Sequence, residues 1–242
     1  VTEHADVLRP AVQYARLNFS TGQLYIDFSE TIDKTPLSNF VVAEMFFSDY
    51  TNAENISLSG ISLLSADGVS MTGNLTEAQR VAVLAFSNVS GGDNNGPSLL
   101  EFRNNSFHDI AINFNVPASI VIDEIADTVL PLFNSVALNL GTGKLVVIPS
   151  ETLDMATVNV GDFFLSNTTG DKYMTLQGAG LDSTDAGVTF TITLTELQRA
   201  DAIHLSATPG GDGDPLVLDI NGNGVQDRAL NGCPELVGVP IS

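Results

Sequence analysis

The sequence predicts an all-β protein of two tandem β-sandwich modules, residues 1–118 and 119–242, each with one short helical turn. Two observations support this prediction. Short runs of alternating apolar and polar residues recur along the chain, separated by turn-forming Gly, Asn, Asp and Ser residues, which is the pattern of a sandwich of short strands. The second half of the chain also repeats the first, so both halves are expected to fold alike.

The repeat consists of identical residues that recur in the same order. Their spacing is 121 residues near the start of each half and 118 near its end, so the halves differ by small loop deletions. The boundary is predicted in a short linker at 115–119, which Pro117 stiffens. The recurring residues include Asp6 and Asp127, Glu30 and Glu151, Glu77 and Glu196, Arg80 and Arg199, and Asp109 and Asp227.

Each module is predicted to begin with a β-hairpin. Apolar and polar residues alternate over 12–19 and 23–28 around a Ser-Thr-Gly turn, and again over 135–140 and 144–148 around a Gly-Thr-Gly turn. The other strands are expected at 40–47, 56–63, 69–72, 98–102 and 110–114 in the first module, and at 162–166, 174–178, 188–194 and 216–220 in the second.

Helix-like sequence is confined to one segment in each module, 76–80 and its copy 195–199. In each segment a threonine can cap the helix N-terminus, and a glutamate in the first turn complements the helix dipole. The sequence therefore predicts one short helix between strands in each module.

The chain is strongly acidic, with 9 basic residues, 29 acidic residues and a net charge of −20. Nucleic acid and anionic membrane surfaces are therefore not expected as partners, because binding to either needs clustered Lys and Arg. No apolar run is long enough to span a membrane, so no membrane insertion is expected. The chain starts without Met and without signal-peptide character, and we expect it to be a portion of a longer protein.

These motifs resemble the tandem immunoglobulin-like repeats of large extracellular surface or fibre proteins, including S-layer, adhesin and cadherin-like proteins. The resemblance is carried by Phe-Ser-Glu at 28–30, by Pro-Ser-Glu at 149–151, and by an Asp-to-Asn signal at 109–113 and 227–231. It implies a stalk, fibre shaft or lattice subunit outside the cell or at its surface. The implied partners are neighbouring copies of the chain or other repeats of the same protein.

No catalytic constellation occurs in the sequence, so we expect a protein that is not an enzyme. The three histidines lack metal-ligand spacing, and no serine stands in a Gly-x-Ser-x-Gly elbow. The expected function is a non-catalytic structural repeat of a secreted or cell-surface fibre, filament or surface layer that self-associates. The alternative is an adhesive or ligand-binding extracellular module, specific for carbohydrate or dependent on calcium, with its site in loops 90–97 and 209–215.

Six Asn-x-Ser/Thr triplets predict a glycoprotein, if the chain is secreted by a eukaryote. The alternative is chance, because the sequence is rich in Asn, Ser and Thr. The candidate acceptors are Asn18, Asn55, Asn74, Asn88, Asn104 and Asn167.

The single cysteine, Cys233, lies in Gly- and Pro-rich sequence that is predicted to be exposed. It is a candidate for an intermolecular disulfide, and the alternative is an idle thiol.

Calcium is the one cofactor that the sequence suggests. Asp219, Asn221, Asn223 and Asp227 place oxygen ligands at alternate positions beside glycines, as a calcium loop does. The repeat counterpart of Asn221 is Arg103, which cannot bind calcium, so this site is expected in the second module only. The alternative is a plain hairpin.

A second candidate for cation binding lies near the module junction. Asp109, Asp123, Glu124 and Asp127 could converge there. The alternative is a solvated acidic surface, which is the usual environment of such residues.

Overall fold

The computed structural model describes residues 2–51, 55–64, 66–168, 170, 173–183 and 187–242. Contacts between Cα atoms divide the chain into two units, Val1–Thr128 (unit 1) and Val129–Ser242 (unit 2). The elements of unit 1 are β1 (Val12–Asn18), β2 (Gln23–Ile32), 3-10 turns at Leu37–Asn39 and Val42–Glu44, β3 (Met45–Ser48), β4 (Asn55–Ser57), β5 (Ser62–Leu63), β6 (Gly68–Asn74), α1 (Glu77–Leu84), β7 (Leu99–Phe102), β8 (Ala118–Val121) and β9 (Asp123–Ile125).

Unit 1 is an immunoglobulin-like β-sandwich. One sheet has the strand order β5-β6-β2-β1-β9 and the other has the order β4-β3-β7-β8. If the first eight strands are lettered A, B, C, C′, D, E, F and G in chain order, these sheets are ABED and C′CFG, the arrangement of the immunoglobulin fold. The additional strand β9 lies beside β1 and runs parallel to it.

Alternating side chains build the core of unit 1. In β2, Leu24, Ile26 and Phe28 are buried between more exposed neighbours, as the period of a strand requires. The ring of Phe107 lies 5.0 Å from that of Phe28 and 5.6 Å from that of Phe102, so it joins the two sheets.

Unit 2 repeats this architecture. Its two main sheets have the orders β10-β11-β16-β15 and β14-β13-β17-β19, and a separate two-stranded sheet joins β12 to β18. If β12 and β18 are left out and the remaining strands are lettered in chain order, the main sheets are again ABED and C′CFG. Its elements are β10 (Phe133–Asn139), β11 (Lys144–Pro149), β12 (Leu153–Asp154), 3-10 turns at Met155–Thr157 and Val160–Asp162, β13 (Phe163–Asn167), β14 (Met174–Thr175), β15 (Gly180–Ser183), β16 (Phe190–Thr193), α2 (Glu196–His204), β17 (Leu216–Ile220), β18 (Gln226–Asp227) and β19 (Leu236–Pro240).

The core of unit 2 draws on both sheets. Leu145 and Ile192 from one sheet form a single buried cluster with Phe163 and Leu218 from the other. The all-β sandwich predicted from the sequence is therefore confirmed.

The two predicted short helices are confirmed as α1 and α2. Thr76 accepts a hydrogen bond from Gln79 N at 3.2 Å, and Gln79 accepts one from Thr76 N at 3.0 Å, which is a complete capping box. Thr195 and Gln198 form the same box at 3.3 and 2.9 Å. The glutamine side chain also donates to two backbone carbonyls at the end of an earlier strand, those of Ser57 and Ser59 in unit 1 and those of Thr175 and Gln177 in unit 2.

The structure divides the chain between Thr128 and Val129, rather than between 118 and 119. The region predicted as a linker contains the first two residues of β8, which pairs with β7, and is followed by β9, which pairs with β1. Pro117 directly precedes β8 and takes no place in the ladder, so it does not interrupt the pairing. Both strands therefore belong to unit 1.

The strand predicted at 110–114 is a turn. The Asp109 carboxylate accepts hydrogen bonds from the backbone N and Nδ2 of Asn113, both at 2.8 Å, and Ile112 has a left-handed φ of 67°. Asp227, Asn231 and Leu230 repeat this turn, with two bonds of 2.9 Å and a φ of 71°. The Asp-to-Asn signal therefore specifies a side-chain-locked turn.

The predicted strand 40–47 is shortened to β3, because a 3-10 turn precedes it, and 56–63 is divided between β4 and β5. No helix in the described part of the chain has the length and apolar character needed to cross a bilayer.

Candidate functional site

Three carboxylates from separate segments of unit 1 meet at its surface. Asp6 lies in the extended N-terminal segment, Glu30 in β2, and Asp109 at the start of the Asp109–Asn113 turn. One carboxylate oxygen from each lies within 4.8 Å of the others. The three residues, called the acidic cluster below, line a depression of about 330 Å³.

The members of the acidic cluster differ in burial. Asp109 is buried, Glu30 is half-buried and Asp6 is exposed. Burial, followed by the negative charges of Asp109 and Asp6, raises the pKa of Glu30 above its ordinary value. Asn113 Nδ2 donates to both Asp109 Oδ2, at 2.8 Å, and the carbonyl oxygen of Asp6, at 3.4 Å, so one side chain links two members.

A set of carboxylate oxygens suits a hard cation such as Ca²⁺, which takes only oxygen ligands. The sequence prediction did not find the acidic cluster, because Asp6 and Asp109 are far apart along the chain. A signal was present, however, since all three residues belong to the set that recurs in the second half.

The predicted calcium loop of unit 2 is engaged in other contacts. Asp219 is fully buried in β17, and its carboxylate accepts from Ser166 Oγ and Gly238 N, both at 2.6 Å. Asn221 Nδ2 donates to Asp162 at 2.8 Å, Asn223 has a φ of 62°, and Asp227 holds the Asn231 turn. Calcium binding at Asp219, Asn221, Asn223 and Asp227 stays a prediction, and it would have to compete with these hydrogen bonds.

The residues predicted near the module junction have separate partners. Tyr14 Oη donates to Asp123 at 2.5 Å, and this hydrogen bond raises the pKa of Tyr14. The Glu124 carboxylate accepts hydrogen bonds from Ser98 N at 2.8 Å and from Ser98 Oγ at 2.6 Å. Asp127 forms an ion pair with Arg80.

Arg80 in α1 holds a buried ion pair. Its Nε and Nη2 each lie 2.7 Å from the Glu77 carboxylate, and its Nη1 donates to Phe19 O at 3.0 Å and to Asp127 Oδ2 at 2.6 Å. The Arg80 and Asp127 side chains are only 7% and 1% exposed. The pair therefore fixes the end of unit 1 to its helix.

Arg199 in α2 keeps most of this arrangement. Its Nε and Nη2 bind Glu196 at 2.8 and 2.6 Å, and its Nη1 donates to Leu140 O at 3.0 Å. This ion pair lowers the pKa of Glu196. Within the described residues Arg199 has no counterpart of Asp127, and its side chain is 28% exposed.

The candidate glycosylation sites differ in accessibility. Asn55, Asn88 and Asn104 are exposed, and the other three are half-buried. Asn167 Nδ2, the atom that a glycan would modify, donates to Asp212 at 2.9 Å, and Asn18 Oδ1 accepts from Ser20 N at 2.9 Å. Accessibility therefore favours the three exposed asparagines, and glycosylation stays a prediction.

Cys233 is buried, with 2% of its surface exposed, which corrects the prediction that this segment is exposed. Its Sγ lies 3.6 Å from Asn221 O, and Cys233 N donates to Val225 O at 2.9 Å. The Gly- and Pro-rich composition around Cys233 is explained by tight turns that return the chain to the core. A bridge to another chain would require this segment to open first.

Comparison with known proteins gives distant structural matches only. No family model and no curated protein matches the chain. The structure of the bacterial S-layer protein SbsC, residues 31–844, matches at a TM-score of 0.34 and 10% identity over 97% of this chain, which spans 26% of that structure. Titin A168–A169 matches at 0.31 and 9%, over 97% of this chain and 100% of its own. The Drosophila DLAR Ig1-2 module matches at 0.21 and 7%, over 96% and 98%. The immunoglobulin-like assignment therefore rests on the strand order.

Proposed function

We propose that the chain is a non-catalytic structural repeat of a secreted or cell-surface fibre, filament or surface layer. The observation that carries this proposal is the repetition of one scaffold. Both units have ABED and C′CFG sheets, and each carries the same capped helix with an arginine that binds a strand-end carbonyl. Modules of one kind joined in series extend a protein without enlarging its core.

Surface properties support the extracellular part of the proposal. A net charge of −20 keeps isolated chains soluble, and three of the six predicted glycosylation sites are exposed. These features suit a protein that meets water on most of its surface and neighbouring modules at its ends.

Electron microscopy of the purified chain over a range of concentrations tests this function. We expect filaments or sheets in which the repeating unit is one copy of the chain. A chain that stays monomeric at every concentration and binds glycans on an array would contradict the proposal and support the adhesive alternative.

The acidic cluster favours a second candidate function, a calcium-dependent adhesive module. Three carboxylates that repel one another in the free protein gain stability when a divalent cation neutralises them. If the cluster binds calcium, Ca²⁺ at 100 times its Kd should stabilise the folded chain by about 2.7 kcal/mol. The melting temperature in Ca²⁺ and in chelator measures this.

Glu30→Gln should remove most of the calcium response, whereas Glu235→Gln, a control at an exposed site in unit 2, should keep it. Equal melting temperatures in calcium and in chelator would reject a structural calcium site.

A further inference from the structure

The outer face of the ABED sheet in unit 1 carries two neighbouring tyrosines. Tyr14 in β1 lies opposite Asp27 in β2, and Tyr25 in β2 lies opposite Arg16 in β1, so the tyrosines are diagonal neighbours across the hairpin. Aromatic side chains at such positions are within reach of each other. The ring centroids lie 6.4 Å apart, and the ring planes are tilted by 59°. Small rotations of the two side chains therefore bring the edges of their rings into contact.

Each of the two tyrosine hydroxyls has a carboxylate of its own. Tyr14 Oη donates to Asp123 Oδ2 in β9 at 2.5 Å, and Tyr25 Oη donates to Asp27 Oδ1 at 2.5 Å. These hydrogen bonds raise the pKa of both tyrosines, so both are protonated phenols at neutral pH. A carboxylate in hydrogen-bond contact is also positioned to accept the phenolic proton when the ring loses an electron.

A cation next to Tyr25 makes this proton acceptor important. Arg16 Cζ lies 5.8 Å from the centroid of the Tyr25 ring. A positive charge at that distance opposes a second positive charge on the ring, so the loss of an electron alone is disfavoured. The loss of an electron together with the proton leaves a neutral radical, which the guanidinium does not oppose. The Asp27 carboxylate therefore makes Tyr25 easier to oxidise.

The other oxidisable side chains are buried or have no such base. The chain has no tryptophan, and its cysteine and three of its four methionines are buried, namely Cys233, Met45, Met71 and Met174. Tyr50 and Tyr173 are 56% and 72% exposed, compared with 36% for Tyr14. Within the described residues, neither of their hydroxyls donates to a carboxylate. Accessibility thus favours the oxidation of Tyr50 and Tyr173, whereas a bound proton acceptor favours that of Tyr14 and Tyr25.

The corresponding hairpin of unit 2 lacks the tyrosine pair. The repeat counterparts of Tyr14 and Tyr25 are Ser135 and Val146, and that of Asp27 is Ile148. The β10–β11 hairpin nevertheless has the same register, with Ser135 opposite Ile148 and the same irregularity at the start of the pairing. The hairpin therefore forms without these side chains, and the pair is a feature of unit 1 that strand pairing does not require.

We infer that Tyr14 and Tyr25 form an oxidative modification site, at which a haem peroxidase using hydrogen peroxide joins the two rings as dityrosine. Each phenol gives one electron to the oxidant and its proton to the neighbouring carboxylate. The two radicals form one carbon–carbon bond between ring positions ortho to the hydroxyls. The hydrogens on those carbons then move to the oxygens and restore both hydroxyls. In total the protein loses two hydrogens, and one hydrogen peroxide is reduced to two molecules of water.

The new bond joins β1 to β2 covalently. The inference rests on the proposed function for its setting, because a secreted chain meets oxidants that the reducing interior of a cell removes. In a fibre, tension that enters unit 1 through β1 acts on the hydrogen bonds between these two strands. A covalent link between the strands keeps the hairpin together after those hydrogen bonds break.

Oxidation of the purified full chain by a haem peroxidase and hydrogen peroxide tests the inference, at a concentration low enough for reaction within one copy. Trypsin cuts after Arg16 and so places Tyr14 and Tyr25 on different peptides. We expect dityrosine fluorescence and, by mass spectrometry, two joined peptides that have lost two hydrogens. Tyr14→Phe and Tyr25→Phe should each abolish this product, whereas the control variants Tyr50→Phe and Tyr173→Phe should keep it.

Two further measurements test the geometry. Asp27→Asn and Asp123→Asn each keep a hydrogen-bond acceptor but lose the base, so each should slow the cross-linking at least about tenfold. In urea that unfolds the chain, the preference for the Tyr14–Tyr25 link should disappear. The inference is overturned if the folded chain gives no such link, if the link is equally abundant in urea, or if both asparagine variants react at the original rate.

These outcomes are separate from those of the proposed function. A chain that forms the Tyr14–Tyr25 link but never assembles would reject the proposed function alone. A chain that assembles into filaments or sheets but forms no link would reject this inference alone.

Discussion

Units 1 and 2 share their strand order, their capped helix and their aspartate-locked turn, but they differ at one sheet edge. Unit 1 pairs β9 with β1 and buries Arg80 against Asp127, whereas Arg199 of unit 2 is partly exposed and pairs with Glu196. In unit 1 the residues that follow β8 supply both the added strand and the partner of the helix arginine. An arginine at the same helix position thus forms a buried ion pair in one unit and a partly exposed ion pair in the other.

The largest difference between the units is expected at these two arginines. Arg80→Ala removes the cation from the buried Asp127 carboxylate and should cost about 3–5 kcal/mol of unfolding free energy. Arg199→Ala removes a partly exposed pair with Glu196 and should cost about 1 kcal/mol or less. Urea denaturation of the two variants measures both effects. Equal losses would show that the buried pair does not distinguish the units.

A second contrast concerns the cores. Phe107 contacts three other phenylalanine rings, whereas its repeat counterpart Val225 is a smaller side chain, and both are buried. Phe107→Ala should cost about 3–5 kcal/mol and Val225→Ala about 2 kcal/mol, because the cavity left behind is larger in unit 1. Calorimetry on both variants checks the ranking, and the reverse order would contradict the account of the unit 1 core.

The capping boxes should behave alike. Thr76→Ala and Thr195→Ala each remove the side-chain acceptor at a helix N-terminus, and each should cost about 1 kcal/mol. Serine at either position should retain most of the unfolding free energy that alanine loses, because serine keeps the hydroxyl group. A difference of more than about 1 kcal/mol between the two alanine variants would show that the helices are not equivalent parts of the repeat.

The smallest effect is expected at Glu30. Because its pKa is raised in the folded state, the folded chain retains a proton that the unfolded chain releases, so the unfolding free energy falls as pH rises through that window. Glu30→Gln should therefore raise the melting temperature by about 1–2 °C at pH 7 and give no gain below the pKa of the unfolded carboxyl.

Glu44→Gln, at a surface pair with Arg103, provides the comparison for this measurement. A melting temperature for Glu30→Gln that is unchanged at pH 7 would show that the acidic cluster is not under repulsion.

Local sequence predicted the elements whose residues decide their own structure. The β1–β2 and β10–β11 hairpins follow from alternation around glycine turns, and α1 and α2 follow from the Thr-Glu pairs at their starts. β9 was not predicted, because it is very short and because its pairing with β1 depends on residues that are far apart in the sequence. The sequence likewise identified Asp109 and Asn113 as a signal, but it could not show that they lock a turn.

The candidate site was only partly predictable. Asp109 was proposed as a cation ligand, but it meets Asp6 and Glu30 instead of Asp123 or Glu124. Those partners are set by the fold of β2 and the path of the N-terminal segment, which local composition does not specify. The internal repeat was the better guide, because it marked Asp6, Glu30 and Asp109 together.

The buried Cys233 thiol is a built-in probe of the opening of unit 2. The chain has a single cysteine, and it lies in the unit 2 core. A thiol reagent can reach that sulfur only while the surrounding turns are open, so the rate of labelling under native conditions reports the opening of unit 2 separately from unit 1. One natural side chain thus allows the lifetime of one module to be followed inside an intact assembly.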